Sequence, residues 1–156
     1  MSAALKLWHR LSGLPAGRWL YGRLICLKAP YFATIAPRFV VLEAGRCEIV
    51  IRDRRRVHNH VGTVHAIALC NLAELGAGMM VEATIPAGMR WIPKGMTVEY
   101  LAKARGSMHA TALPEHPVVE SANGYAWPVT VTVRDDAGTE VFRARIEMWL
   151  SPRRRK

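Results

Sequence analysis

Cysteine is scarce in this chain, and acidic side chains are outnumbered. Only three cysteines occur, Cys26, Cys47 and Cys70, with no CxxC pair and no His/Cys ligand spacing. That excludes a disulfide scaffold and a zinc module. The three read as reduced, buried thiols of a cytoplasmic protein, and no metal is expected. No run of about 18 apolar residues goes uninterrupted, so no membrane span is expected. The N-terminus carries a charge every few residues and has no apolar h-region, which argues against a signal peptide. There is no GxGxxG, no P-loop and no GxSxG, and no serine sits in a nucleophile setting. No internal repeat is present, and no RNA or DNA module is visible, so no nucleic-acid partner is expected.

What is there fits one globular domain. The chain has 156 residues, 51% of them hydrophobic, with five tryptophans. A chain of this length buries roughly 68–70% of its unfolded surface. Lys and Arg number 22 against 12 Asp and Glu, a formal net charge of +10. Arg52, Arg54, Arg55 and Arg56 form one cluster, and Arg153, Arg154, Arg155 and Lys156 another. The excess points to a solvated face or to an anionic partner: a phosphate-bearing ligand, nucleic acid or an anionic membrane surface.

The apolar spacing predicts amphipathic helix over 4–28, broken at Pro15 and Gly17. A packed cap is favoured there over a membrane-surface helix, because the segment is short and broken. Phe39–Leu42, a turn at Ala44-Gly45 and Cys47–Ile51 read as a hairpin. Residues 52–62 read as a polar loop. Residues 63–84 read as one long helix, with Thr63 as its cap. Apolar residues surround it almost completely, and a helix apolar all round is buried all round. Ala68, Ala73, Gly76, Ala77 and Gly78 would let neighbours approach closely. Strands are predicted at 96–101, 107–113, 129–133 and 141–150, with a turn at Asp135–Gly138. The order implies an α+β domain, an antiparallel sheet curved around a central helix.

Two features carry chemistry. Glu74 lies in the middle of the apolar helix, where an unpaired carboxylate is costly. It reads as a general base or nucleophile, or else as a structural carboxylate paired across the core. The segment Asn59-His60-Val61-Gly62-Thr63-Val64-His65 lies at the mouth of the same helix, whose free amides form a site for an oxyanion or a polarised carbonyl. Gly62 would permit a tight turn or a close ligand approach. Asn59 and His65 could hydrogen-bond a substrate oxygen; His58 and His60 read as structural.

HNHVGTVHAIALCNLAE (58–74) and RWIPKGMTVEYLAKARG (90–106) resemble the PaaI-like acyl-CoA thioesterases of the hotdog fold, and most closely a bacterial hotdog domain family of unknown function. The resemblance covers about residues 30–150. It implies a hotdog domain over 30–150, preceded by a helical cap (1–29) and followed by a basic tail (151–156). It implies paired subunits, a dimer or tetramer, with composite sites. It implies Glu74 as the catalytic carboxylate, with His65 and Asn59 beside it. The amides of Ala66 and Ile67, opened by Gly62, would polarise the thioester carbonyl. Asn71, Arg56, Lys103 and Arg105 would bind substrate, the cations taking the phosphates of coenzyme A, which enters as part of the substrate with no further cofactor. The family's His-Gly-Gly turn is His65-Ala66-Ile67 here, and its Asp is Glu74. These departures motivate an alternative, a non-catalytic acyl-CoA-binding protein. A hotdog hydratase or dehydratase ranks below both, and crotonyl-CoA hydration would detect it.

Overall fold

A computed structural model describes residues 1–153. Arg154, Arg155 and Lys156, the outer part of the expected basic tail, lie outside the described residues. Two helices open the chain, α1 (Ala3–Leu11) and α2 (Gly17–Lys28), and a 3-10 turn follows at Pro30–Thr34. Strands β1 (Arg38–Glu43) and β2 (Arg46–Ile51) form the hairpin, turned at Gly45 with φ +81°. The long helix α3 (Ala66–Thr84) comes next. It precedes β3 (Met89–Tyr100), β4 (Met108–Pro114), β5 (Tyr125–Arg134) and β6 (Glu140–Pro152). β6 runs two residues into the stretch expected as tail.

The strands make one antiparallel sheet in the order β1-β2-β4-β5-β6-β3. Because β3 pairs, among the described residues, only with β6, it is an edge strand of 12 residues. It is also longer than the sequence predicts, running through Pro93 and Gly95 with a bulge between them. Proline is tolerated at an edge or a bulge because the missing N–H breaks no interior ladder bond.

The sheet curves around α3, which packs on β2, β4 and β5. Leu69, Leu72, Leu75, Met80 and Val81 are buried on several faces of the helix. Small residues permit this wrapping: Gly76 meets Ala112, and Gly78 lies under the Trp91 ring. Among the described residues α3 is the one helix long and apolar enough to cross a membrane, but 61% of its most apolar window is buried within the protein, as in a core helix.

The N-terminal helices pack on the sheet and on α3. Tyr21 is fully buried, with its ring centroid 5.2 Å from Trp8 and 4.9 Å from Phe39. Gly22 lets α2 approach β1 closely: a Cβ there would stand 2.7 Å from the Pro37 carbonyl oxygen. The three cysteines are free, and burial pushes the Cys47 thiol well above its usual range.

Candidate functional site

The loop before α3 is built by Asn59. Its Oδ1 accepts from the Val61 and Thr63 amides, and its Nδ2 donates to Thr63 Oγ1 at 2.8 Å. Asn residues close turns this way because the side chain mimics a backbone turn. Gly62 takes φ +75° and its amide donates to the Asn59 carbonyl. Asn59 is therefore a loop-building residue in this structure: its Oδ1 and one Nδ2 N–H are committed to the loop, and one Nδ2 N–H is left for the substrate oxygen expected of it. Thr63 is likewise held by Asn59 and is not the helix cap.

His65 is the cap. Its Nδ1 accepts from the Ile67 amide at 3.0 Å. Two consequences follow. The neutral ring carries its proton on Nε2, at an exposed position. The Ile67 amide is occupied, which corrects its expected role as an oxyanion donor. Among the described residues the Ala66 and Ala68 amides have no hydrogen-bond partner. They stand at the positive end of the α3 dipole.

A small cavity of about 100 Å³ opens at this helix end, lined by Tyr31, Thr34, Arg56, His65, Ile67 and Asn71 among others. Asn71 is buried. Its Nδ2 donates to Thr34 Oγ1 at 3.0 Å, while its Oδ1 has no partner. A buried unpaired oxygen at a cavity wall suits a ligand N–H. Arg56 is exposed and donates to the Ala33 carbonyl. Lys103 and Arg105 flank Ala104, whose carbonyl accepts from the Val64 amide at 2.9 Å. The structure thus brings Arg56, His65 and Asn71 to one cavity, while Lys103 and Arg105 are tied to this region through the Ala104 backbone.

Glu74 stands apart from them. Nine residues separate it from His65, about 13 Å along the helix at about 1.5 Å per residue. It lines a different cavity of about 200 Å³, with Pro93, Gly95, Met96 and Ile146. It is also exposed, which corrects the expectation of a buried carboxylate. The physical reason is the sheet edge: α3 packs chiefly on the middle strands, and among the described residues the stretch of the α3–β3 seam around Glu74 and Met96 is left open, whereas Trp91 closes it at Gly78. Directly paired residues of antiparallel strands share a face. Met96, Val98 and Tyr100 pair with the buried Ile146, Ala144 and Phe142, so they face the helix side. Met96 and Tyr100 are nevertheless exposed, as is Ile67 on α3.

Two participants escaped the sequence reading. Tyr100 OH lies 3.4 Å from Cys70 Sγ, tying β3 to α3 one turn before Glu74. That hydrogen bond first, and then burial, holds the Tyr100 phenol up at about 12. Thr34 fixes Asn71. Neither pairing carries a local signal, because each joins residues at least thirty positions apart.

No curated protein matches this chain. Among solved structures, a structural-genomics protein is 45% identical over 96% of this chain and 98% of its own, with a TM-score of 0.82. A thioesterase from Haemophilus influenzae is 13% identical, covering 78% of this chain and 82% of its own at a TM-score of 0.67. A Streptococcus mutans protein solved with acetyl CoA bound is 19% identical over 76% and 91%, at 0.64. The last two likenesses establish the shared hotdog fold. Residues 17–150 match a family described only as a domain of unknown function (DUF4442), and it is to this family that the chain belongs.

Proposed function

We propose that the protein is a thioesterase that hydrolyses acyl-CoA, acting as a dimer or higher homo-oligomer. The observation that carries this reading is Glu74. It is the one exposed residue of α3 between Leu69 and Val81, and it opens onto an uncovered apolar seam. Its distance from the helix N-terminus means that one chain does not bring the carboxylate to the free amides. A second copy laid along the α3–β3 seam would supply the helix end that faces Glu74.

In that composite site Glu74 takes a proton from water as the water oxygen attacks the thioester carbonyl carbon. The Ala66 amide of the facing subunit donates to the developing oxyanion, and His65 Nε2 offers a second donor. The C–S bond then breaks, and the protonated Glu74 returns its proton to the coenzyme A thiolate. Arg56 borders the helix end, Lys103 and Arg105 flank the Ala104 carbonyl bonded to Val64, and the three suit the coenzyme's phosphates.

The test is thiol release from an acyl-CoA panel, acetyl to palmitoyl plus aryl, with Glu74→Gln as control. A general base contributes about 10²–10⁴-fold, and a loss of that order is expected in the variant. Because Glu74 is exposed, the fold should survive the change. Equal turnover by wild type and variant refutes the mechanism. The non-catalytic alternative is favoured by one observation, the Ile67 side chain exposed at the helix opening with its amide already used. It predicts saturable acyl-CoA binding without thiol release.

A further inference from the structure

We propose that the outer face of α2, with the arginine cleft beside it, docks the protein on an anionic membrane surface. The helix has two apolar faces with different fates. Tyr21, Gly22 and Cys26 pack inward. Leu20, Leu24 and Leu27, at i, i+4 and i+7, form a stripe on the opposite side that is exposed among the described residues. Leu27 is 76% exposed and Trp19, beside the stripe, 62%. Tyr31 extends the exposed patch just beyond the helix. Scattered apolar residues on a surface are ordinary, but a continuous helical stripe is not.

Charge chooses the occupant. Trp19 also lines a cleft of about 470 Å³ whose walls include Arg23, Arg38, Arg52, Arg54 and Arg56, with no acidic residue among the lining. None of these arginines forms an ion pair among the described residues. The nearest acid in sequence, Asp53, is paired with His58. A second copy docked here would set guanidinium against guanidinium. A bilayer rich in anionic phosphate would neutralise them while the leucines and Trp19 enter the acyl boundary.

Position supports the same occupant. α2 packs on β1, at the opposite edge of the sheet from β3, so a dimer formed along β3 leaves the stripe free. Tyr31 and Arg56 also line the cavity at the α3 N-terminus, so docking would set the mouth of that cavity beside the lipid. The inference does not depend on the thioesterase reading.

The test is co-sedimentation of the purified full chain with phosphatidylcholine vesicles, with and without about 30 mol% phosphatidylglycerol. The wild type should pellet with the anionic vesicles, stay in solution with the neutral ones, and release at about 1 M salt. Leu24→Ser with Leu27→Ser, and separately Arg23→Glu with Arg52→Glu, should each cut the bound fraction at least about tenfold while circular dichroism is unchanged. The Trp emission should shift blue on anionic vesicles, and Trp19→Phe should lose that shift. Equal partition onto both vesicle types would overturn the proposal. So would unchanged binding by the leucine variant. A smaller oligomer in that variant, with no vesicle binding by wild type, would assign the stripe to self-association. Displacement from vesicles by free coenzyme A would assign the cleft to a nucleotide phosphate.

Discussion

His65 spends one ring nitrogen on its own helix, and that single hydrogen bond narrows the free amides at the α3 N-terminus to those of Ala66 and Ala68. Asn71 shows the reverse, a side chain with capacity left over. Replacing Asn71 by Ala removes its bond to Thr34 and should cost about 1 kcal/mol, seen as a fall of a few degrees in Tm. If the free Oδ1 receives a substrate N–H, the same variant should raise KM for acyl-CoA more than it lowers kcat. An unchanged KM would make Asn71 a structural residue only. Glu74 was legible in the sequence as an anomaly, a carboxylate in an apolar helix. Its exposure was not legible, because helical periodicity describes a helix and not the gap beside it.

At the scale of elements, the clasp between α2 and β1 is the most exacting contact. Gly22→Ala would gain about 1 kcal/mol in helix propensity. The added Cβ would stand 2.7 Å from the Pro37 carbonyl oxygen, a backbone atom with little freedom to move. Overpacking of this kind costs about 1–3 kcal/mol, so a net loss of stability is expected in chemical denaturation, with the two terms nearly cancelling at the lower end. A stabilised variant would show that α2 slides on the sheet. The hairpin, the two N-terminal helices and the central helix were legible because each is written in local spacing and turn residues. The cap of α3 was not: Thr63 has the usual chemistry, but Asn59 claims it, and the histidine two residues on takes the position. The first half of β3 was hidden because Pro93 and Gly95 read as breakers, yet an edge strand accepts both.

At the scale of the molecule, the uncovered α3–β3 seam predicts assembly. Met96→Lys with Tyr100→Lys should shift the mass in light scattering toward monomer, since an interface would bury both new ammonium groups unpaired, and thiol release should fall at least about tenfold with the loss of the composite site. Loss of the dimer without loss of turnover would confine the site to one chain. Acid stability follows from the outer face of the sheet. Burial pushes the Glu115 carboxyl up, but hydrogen bonds from Arg145 and Thr130 outweigh it and hold it below the usual range. Hydrogen bonds from His109 and the Ser107 amide do the same for Asp136. A depressed pKa stabilises the fold above the ordinary carboxylate value and loses that contribution as pH falls through the folded-state value. Tm should therefore drop below about pH 4, and less steeply in Glu115→Gln.

By itself the sequence determined the α+β class, the long helix with its wrapping sheet, the hairpin, and the two segments that carry the family likeness. These follow from periodicity, turn chemistry and motif spacing, which are properties of neighbours along the chain. Only the tertiary structure decided that Glu74 faces an open seam, that the Ile67 amide is already occupied, that Tyr100 and Cys70 join β3 to α3, and that five arginines converge beside an exposed leucine stripe. Each of these depends on which surfaces remain uncovered after residues far apart in sequence have packed, and no local pattern encodes that.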